Sequence, residues 1–359
     1  MIRLGYDLSI LRHPRAGTAR YAEELLAAMT TAAAPEDLVL PTRGLPRGPR
    51  GLRFRRYLHL AEDLAWWGVG GAAVAARNRV SAWFSPSNTL LMALPRPMIV
   101  TIHDANFLVQ PEAYDRGYRA YANRMFRHAA CHASRILTDS AYSADEIVRL
   151  LDAPASRIVV AYPGLDHALR VKPDRPDPSL PSRYALCVGQ TEPHKNIGLL
   201  IEAWGVGVPP DLHLVIVGPP GRDDERLRKL ASRAVLRGRI HFLGPVPEGR
   251  LARLYESATC FVLPSRAEGF GFPPLEAMAR GIPTAVAAAG SLPEVTADGA
   301  LHFDCDDASA LAGLIHGLAD DDGLRRQLVR KGKRVVRRYR WRDTALVAWA
   351  TVREAVQDE

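Results

Sequence analysis

Short apolar runs alternate with longer helical patterns along the whole chain. The predicted buried strands are Ile2–Leu8, Met98–Ile102, Arg135–Thr138, Ile158–Ala161, Ala185–Gly189, Leu212–Val217, Ile240–Leu243, Cys260–Leu263 and Thr284–Ala287. Apolar residues recur with the helical period in the segments Ala19–Thr30, Tyr114–Ala133, Glu225–Leu236 and Arg250–Ser257. This alternation predicts an α/β fold with parallel sheets that are covered by helices on both faces.

A proline-rich segment interrupts this alternation near the middle of the chain. Residues 171–183 hold four prolines and few apolar residues, which stops both helices and strand pairing. We therefore predict a linker there, between an N-terminal domain over 1–170 and a C-terminal domain over 184–342. Doubly wound sheets bind ligands outside the carboxyl ends of their strands, so two such domains facing across a cleft suit a two-substrate reaction.

Composition narrows the class of protein. The 359 residues are 47% hydrophobic and 24% charged, which excludes collagen, a coiled coil and a disordered chain. Four cysteines without a C-x-x-C pair argue against a zinc ribbon or a disulfide scaffold and suit a reducing compartment. The apolar run Leu64–Ala76 is shorter than the roughly 20 residues of a spanning helix. With no signal peptide recognised, we expect a cytoplasmic protein, with the inner face of a membrane as an alternative location.

When the two halves of the chain are compared, most of the excess of basic over acidic residues lies in the first half. The formal charge is +8, and residues 1–170 hold 21 basic against 15 acidic residues. Six arginines and no acid occur in Arg43–Arg56, shortly before Trp66 and Trp67. A basic stretch beside aromatics suits peripheral membrane contact through Arg43–Trp67. It equally suits an anionic acceptor, nucleic acid, or a solvated loop before a core helix.

The strongest local signal is the string Ser265–Ala287, which follows a predicted strand. Gly269 and Gly271 let the backbone approach a ligand, and two prolines then open a helix whose free amides suit a phosphate. Glu268 stands in the loop, and Glu276, eight residues on, is placed in the first helical turn. A carboxylate repels phosphate but accepts hydrogen bonds from vicinal hydroxyls of a sugar. The alternative is an ordinary helix with an acidic first turn.

A second signal lies in the segment Gly189–Asn196, between a predicted strand and a helix. Lys195 is one of only five lysines among 47 basic residues, so its presence at this turn is unlike the rest of the chain. A compact ammonium at a helix start suits a phosphate oxygen and stabilises a leaving diphosphate. The alternative is a solvated loop lysine.

Two further loops lie at strand ends in the first half. His103 and Asp104 follow the strand Met98–Ile102, where His103 could bond a sugar, carry a proton or merely cap the strand. Gly17, in the loop after the first strand, would let the backbone approach a ligand or simply form a turn.

Other motif-like strings carry less weight. Asp304–Asp306 resembles a metal-binding D-x-D, but Asp306 or Asp307 is better explained as the cap of a following helix. His128 and His132 lack the glutamate of H-E-x-x-H and fit a helix surface. The glycine string at residues 68–73 follows a helical pattern instead of a strand, so a dinucleotide site is not predicted.

The strings taken together resemble the retaining glycosyltransferases of family 4, which have the GT-B fold and fall within glycosyl transferase group 1. The resemblance is closest to the bacterial mannosyltransferase-like branch. It is carried by GTARYAEELL, TIHD, TDSAYSADEI, YPGLD, GQTEPHKN, HFLGPVPEGRLARLYESA, the E-x7-E string of Glu268 and Glu276, and RYRWRDTA. These pieces run through the whole chain, and the full E-x7-E string is the most specific of them.

The resemblance implies roles for individual residues. It implies that the second domain binds a GDP- or UDP-sugar donor, that the first binds a sugar, glycan or glycolipid acceptor, and that the last helix (343–359) packs back on the first domain. The implied catalytic residues are His103, Lys195 and Glu268. The implied donor contacts are Gly17, Gln190, Lys195, Val246, Arg266, Gly269, Phe270, Gly271 and Glu276, with Glu276 on the ribose and the Gly244–Val246 segment near the base. The implied acceptor contacts are Asp104 and Arg15, and no metal or cofactor is expected.

The chain departs from the family pattern at Gln190. Many members carry an arginine after the glycine that matches Gly189, so one cationic phosphate contact is missing or is supplied elsewhere, for example by Arg266. The hypothesis is therefore a retaining, metal-independent hexosyltransferase, with GDP-mannose as a donor favoured by branch alone. The alternatives are a nucleotide-sugar epimerase or hydrolase on the same fold, and a non-enzymatic basic nucleic-acid binder. Because the E-x7-E and Lys195 strings serve no purpose in such a binder, no nucleic-acid partner is expected.

Overall fold

The computed structural model describes residues 1–12, 17–42, 65–88, 97–233, 236 and 238–358. The chain forms two compact units. The first contains residues 1–108, 114–164 and 340–359, and the second contains residues 109–113 and 165–339. The unit boundary therefore falls after Gly164, upstream of the segment 171–183. That proline-rich segment is held within the second unit, where the N–H of Asp174 donates to the carbonyl of Gly249 at 3.0 Å.

The first unit is built on a six-stranded parallel sheet. Its strands are β1 (Arg3–Asp7), β2 (Leu38–Thr42), β3 (Ala82–Ser85), β4 (Met98–Thr101), β5 (Arg135–Thr138) and β6 (Ile158–Val160), in the order β2-β1-β3-β4-β5-β6. Its helices are α1 (Gly17–Ala32), α2 (Gly71–Arg77), α3 (Asn106–Val109), α4 (Arg116–His132) and α5 (Ala141–Leu151), together with the helix α14 (Trp341–Gln357) at the end of the chain. A π-helical turn, Trp66–Gly70, runs into α2.

The second unit repeats this plan. Its strands are β7 (Tyr184–Val188), β8 (His213–Val217), β9 (Ile240–Gly244), β10 (Cys260–Leu263), β11 (Thr284–Ala287) and β12 (Leu301–Phe303), all parallel in the order β12-β11-β10-β7-β8-β9. Its helices are α6 (Asp166–Arg170), α7 (Ile197–Val206), α8 (Asp224–Ala231), α9 (Glu248–Ser257), α10 (Phe272–Ala279), α11 (Leu292–Thr296), α12 (Ala308–Asp320) and α13 (Asp322–Val335). The central strands are buried along their length, as expected of a sheet covered on both faces.

Helix starts follow from capping residues that the sequence supplies. Asp115, Ser140, Asp307 and Asp321 each accept a hydrogen bond from a backbone N–H three residues on, at the starts of α4, α5, α12 and α13. The expectation that an aspartate near Asp306 caps a helix is therefore confirmed, with Asp307 as the cap.

Three strands were not predicted. Among the described strands, β2 lies at a sheet edge, and it contains Pro41, which edge positions tolerate because a proline there need not donate to a neighbouring strand. The strand β12 is an edge strand of three residues, and β3 has only four. The helix predicted over Glu225–Leu236 ends earlier, at Ala231.

The last helix packs on the first helix within the first unit. The indole N–H of Trp349 donates to the carbonyl of Met29 at 2.9 Å, and both side chains are fully buried. Trp66 and Trp67 are also buried, in the core of the same unit, so they present no aromatic surface to a membrane. Residues 43–64 of the predicted basic stretch lie outside the described residues. In the described part of the chain, no helix is both long and apolar enough to span a bilayer.

Candidate functional site

Two loops of the second unit flank the point where its strand order reverses. β7 lies between β10 on one side and β8 on the other, so the connections that follow β7 and β10 lie on either side of this switch point. In open α/β sheets, ligands bind at such a point, at the carboxyl ends of the strands. The loop after β7 carries Lys195, and the loop after β10 carries Glu268.

The structure joins these two loops directly. Lys195 Nζ lies 2.6 Å from Glu268 Oε1, and the backbone N–H of Arg266 donates to the carbonyl of His194 at 2.8 Å. The Lys195 stem passes beside Gly189, close enough that a Cβ there would lie 3.8 Å from Lys195 Cδ. Only 20% of the Lys195 side chain and 12% of the Glu268 side chain are exposed. Two residues predicted to act at separate points of a ligand thus form one ion pair.

The electrostatics of this pair favour the ionised form of the Glu268 carboxyl. Burial alone would raise the pKa of the Glu268 carboxyl, but the adjacent Lys195 ammonium outweighs it and holds that pKa below its ordinary value. Burial and the same ammonium lower the pKa of His194 to about 4, so this imidazole is neutral at physiological pH. One proton of the ammonium points to Glu268, which leaves two donors for a further oxygen ligand.

The backbone of the Glu268 loop is held by the turn after β11. The N–H and the hydroxyl of Ser291 both donate to the Glu268 carbonyl, at 3.1 and 3.0 Å. Gly290 has φ +60°, and a Cβ there would lie 2.8 Å from the Glu268 nitrogen, so only glycine is accommodated. This turn was not singled out from the sequence. It positions the carboxylate before any ligand arrives.

The glycine loop leaves mainly backbone groups for a ligand. Gly271 has φ +90° and precedes α10. The Phe270 ring is buried against Tyr339, with ring centroids 5.4 Å apart, so its side chain belongs to the core. Pro273 and Pro274 occupy the second and third helical positions and lack an N–H. The amides of residues 270–272 are therefore the donors that this end of the helix offers.

Glu276 differs from its predicted placement. It is the fifth residue of α10, so it lies beyond the first turn, and the interpretation as an acidic first turn is wrong. Its carboxylate is buried, accepts a hydrogen bond from the hydroxyl of Tyr255 at 3.0 Å, and lies 3.6 Å from Nε2 of His167. The sequence reasoning missed both partners, because α9 and α6 bring them from distant segments.

The remaining residues that were predicted to contact the sugar donor lie around the same edge of the sheet. The exposed side chain of Gln190 donates to Glu192 Oε1 at 3.4 Å. Val246 packs against the core two residues beyond β9. The guanidinium of Arg266 bonds to Asp306 and contacts Cys305 Sγ at 3.5 Å. The one acidic and cysteine cluster of metal-binding proximity in the described residues, Asp304–Asp306, thus already holds an arginine.

In the first unit, His103 ties together the loops that follow three strands. Its Nδ1 lies 2.7 Å from Asp139 Oδ2, its Nε2 lies 3.2 Å from the Pro86 carbonyl, and its backbone N–H donates to Asn88 Oδ1 at 3.3 Å. A carboxylate and a carbonyl only accept, so both ring nitrogens carry protons. Burial lowers the pKa of His103, but the charge and hydrogen bond of Asp139 outweigh it, and the pKa is raised.

Asp139 is a site residue that the sequence reasoning did not identify. It directly follows β5, the neighbour of β4 in the sheet, and β4 leads to His103. The signal was available, since adjacent parallel strands end at the same edge. The ring of Tyr21 also packs edge-on against His103, with centroids 4.7 Å apart.

The other predicted residues of the first unit are less constrained. Asp104 Oδ1 accepts the N–H of Asn106 at 3.0 Å, which starts the short helix α3. Gly17 begins α1, is exposed, and has open space where a Cβ would stand. Arg15 lies outside the described residues.

The raised pKa of His103 predicts a pH-dependent contribution to stability. A histidine whose folded pKa exceeds its unfolded value of about 6.5 stabilises the fold below that value and loses this stabilisation as pH rises through the folded pKa. We expect His103→Gln to lower the melting temperature most at pH 5 and least at pH 9, with the change lying above pH 6.5. Differential scanning calorimetry across this range measures it. His132→Gln, on the exposed surface of the same unit, serves as the control, and a pH-independent difference for His103→Gln would contradict the assignment.

Comparisons with known sequences match both halves of the chain. The family profile described as Glycosyl transferases group 1 matches residues 172–335, and the one described as Glycosyltransferase Family 4 matches residues 1–169. The chain is 34% identical over 256 residues to O-antigen chain mannosyltransferase B of Escherichia coli, covering 68% of this chain and 66% of that protein. It is 32% identical to a D-inositol 3-phosphate glycosyltransferase of Acidothermus cellulolyticus, covering 63% and 54%. The matched region thus spans between half and two thirds of these relatives.

Comparisons with solved structures show the fold. A sucrose-phosphate synthase from Thermosynechococcus elongatus superposes with a TM-score of 0.79 at 19% identity, covering 100% of this chain and 99% of that one. Anabaena HepE in complex with UDP-glucose superposes with a TM-score of 0.71 at 17% identity, with full coverage of both chains.

Proposed function

Because the chain belongs to the group 1, family 4 glycosyltransferases and has their GT-B fold, we propose that it transfers a hexose from a nucleotide-diphosphate sugar to an acceptor hydroxyl. The observation that carries this proposal is the Lys195–Glu268 ion pair at the switch point of the second sheet. It places an ammonium for a phosphate oxygen and a carboxylate for sugar hydroxyls within one constrained pair of loops.

The proposed chemistry uses these charges where they develop. The bond between the anomeric carbon and the diphosphate oxygen breaks, and the diphosphate leaves with the electron pair. Lys195 and the loop amides of residues 270–272 stabilise the charge that accumulates on the leaving group. The acceptor hydroxyl attacks on the face that the diphosphate leaves, so configuration is retained, and its proton passes to the leaving oxygen.

Metal independence is part of the proposal. A divalent cation usually bridges diphosphate oxygens in enzymes that lack a protein cation there. Here Lys195 supplies the cation, and Arg266 occupies the acidic cluster Asp304–Asp306. We propose that Arg266 remains bound to Asp306 and that the loop amides compensate for Gln190.

His103 has a proposed role that its hydrogen bonds make possible. Its Nε2 proton bonds the Pro86 carbonyl at 3.2 Å, at the long end of the normal range, so the bond is readily exchanged for a substrate oxygen. Asp139 keeps the ring protonated and oriented. We propose that His103 donates a hydrogen bond to the transferred sugar.

The donor is proposed to be GDP-mannose. Mannosyltransferases are among the most similar relatives, whereas HepE was solved with UDP-glucose at far lower identity. A sugar, glycan or glycolipid hydroxyl is the proposed acceptor.

A thermal-shift screen against GDP, UDP, ADP and dTDP, each with and without EDTA, tests the donor site. A nucleotide at about 100 times its Kd stabilises the folded state by about 2.7 kcal/mol. At roughly 2–4 °C per kcal/mol for a domain of this size, the expected rise in Tm is several degrees, with GDP largest and EDTA without effect. Lys195→Ala should lose the shift, and the exposed Lys229→Ala should keep it. Absence of a shift with all four nucleotides would contradict the proposed donor site.

Product analysis tests the reaction itself. With GDP-mannose and a mannoside acceptor, proton NMR of the new linkage should show an α-anomer. A β-linkage would contradict retention. If free mannose were released at the same rate with and without acceptor, the reaction would be hydrolysis of the donor, and the proposed transfer would be wrong.

A further inference from the structure

A short segment near the end of the second unit concentrates positive charge. Residues 325–338 contain eight basic and no acidic side chains, so they carry a charge equal to the +8 of the whole chain. The other residues of 171–359 hold 18 basic against 24 acidic residues. The net charge of the second half of the chain conceals this segment, because the surrounding acidic residues offset its positive charge.

The helix that bears this segment divides its residues between core and surface. On α13, Leu328 and Val335 are buried in the core of the second unit. Arg326, Arg330 and Lys333 follow one another at spacings of four and three residues, so they lie on one face of the helix, and all three are exposed. The apolar face is fully used within the unit, and the basic face is turned to solvent.

Four of these cations are uncommitted. Within the described part of the chain, Arg326, Arg330, Lys333 and Arg338 have no ion-pair or hydrogen-bond partner for their side chains, and all four are exposed. We call these four residues the basic ridge. The other four cations are engaged: Arg325 pairs with Asp322, Lys331 and Arg334 pair with Asp298, and Arg337 also has an interaction partner.

The ridge borders an open pocket. The pocket has a volume of about 470 Å³ and is lined by Arg325, Arg326 and Arg330, by Asp322 and Glu256, and by the backbone turn of residues 281–283. Lys333 lies over the same turn, since a Cβ on Gly281 would be 3.2 Å from Lys333 Cε. The pocket therefore offers space for a phosphate group beside at least two uncommitted arginines.

We propose that the basic ridge binds the surface of an anionic phospholipid bilayer, with a headgroup phosphate entering the adjoining pocket. Arg326 to Lys333 span roughly 10 Å along α13 at about 1.5 Å per residue, and Arg338 extends the row into the 3-10 turn Val336–Arg338 that follows. A row of that length contacts several headgroups at once. The charge of the ridge is complementary to such a surface, which attracts polybasic segments.

Two observations define the kind of contact. Tyr339, the aromatic residue nearest the ridge in sequence, is buried, so the ridge offers no ring for the base stacking that single-stranded nucleic acid uses. The apolar side of α13 is already packed, so the helix does not insert. Association is therefore electrostatic and reversible by salt.

Vesicle co-sedimentation of the full chain tests this proposal. Vesicles of one part phosphatidylglycerol to two parts phosphatidylcholine should bind the chain at low salt, and pure phosphatidylcholine should not. Binding should disappear in about 1 M NaCl, where the Debye length falls to about 3 Å. The variant R326Q/R330Q/K333Q/R338Q should bind at least tenfold more weakly, because each cation near the surface contributes about 1 kcal/mol, or roughly fivefold.

A matched control removes the same charge elsewhere. The variant R77Q/R116Q/R119Q/R124Q changes surface arginines of the first unit and should bind within about twofold of the parent. Nucleotide-induced thermal shifts are measured on every variant, and they report folding and the donor site independently of vesicle binding. A failure of the proposed donor site is therefore distinguishable from a failure of the proposed membrane contact. Equal loss in both variants, absence of binding by the parent, or binding to a DNA duplex in preference to the vesicles would overturn the proposal.

Discussion

Replacing Lys195 by alanine is expected to lower kcat/KM for sugar transfer by about 10²–10³-fold, the usual effect of removing one preorganised charge at a developing anion. The ammonium is held 2.6 Å from Glu268 by loops on either side of the switch point, so no reorganisation is needed when the diphosphate leaves. Its loss also leaves a largely buried carboxylate without its cation. Steady-state kinetics with the nucleotide sugar measure the effect.

The control for this substitution is Lys229→Ala. Lys229 is exposed on α8, and its loss should leave kcat/KM within about twofold, as is usual for surface substitutions away from a site. Glu268→Gln keeps the shape of the side chain while removing its negative charge. It therefore separates the proposed role of the carboxylate from that of the Lys195 ammonium. If Lys195→Ala retained more than about a tenth of the parent activity, the ammonium would not be the group that stabilises the leaving diphosphate.

Replacing Trp349 by alanine is expected to lower the free energy of unfolding by about 3–5 kcal/mol, which is the usual range for a buried aromatic residue. Trp349 is about 1% exposed, joins α14 to α1, and donates to the Met29 carbonyl at 2.9 Å. Its removal leaves a cavity and an unsatisfied carbonyl together. Chemical denaturation followed by circular dichroism measures the loss.

Leu346 on the same helix provides the matched control. It is 49% exposed, so Leu346→Ala should change the free energy of unfolding by no more than about 0.5 kcal/mol. Similar losses for both variants would show that the buried indole is not the group that holds α14 in place.

The basic ridge was not identified from the sequence. The segment Arg43–Arg56 stands out in the sequence because its fourteen positions hold six arginines and no acidic residue. Residues 325–338 hold eight cations in the same number of positions, but the acidic residues around them offset this charge in the net charge of the second half of the chain. Only the packing of α13 on its core shows that Arg326, Arg330 and Lys333 share one exposed face.

Much of the architecture was determined by the sequence alone. Apolar runs and the 3.6-residue period are local properties, so nine strands and the α/β class followed from them. Lys195 and Glu268 were identified because each follows a strand in a loop with a distinctive composition. The exceptions are the edge strands β2 and β12, which are only partly buried, and the central strand β3.

Only the tertiary structure decided which of these loops meet. Strand order placed β7 beside β10 and so brought Lys195 to Glu268 across 73 residues, and it placed β4 beside β5 and brought His103 to Asp139 across 36. It also committed Arg266 to Asp306. The physical reason is that a strand's own residues specify that it is buried but not which strand lies next to it. That choice is made by the crossover connections and by the packing of the whole sheet.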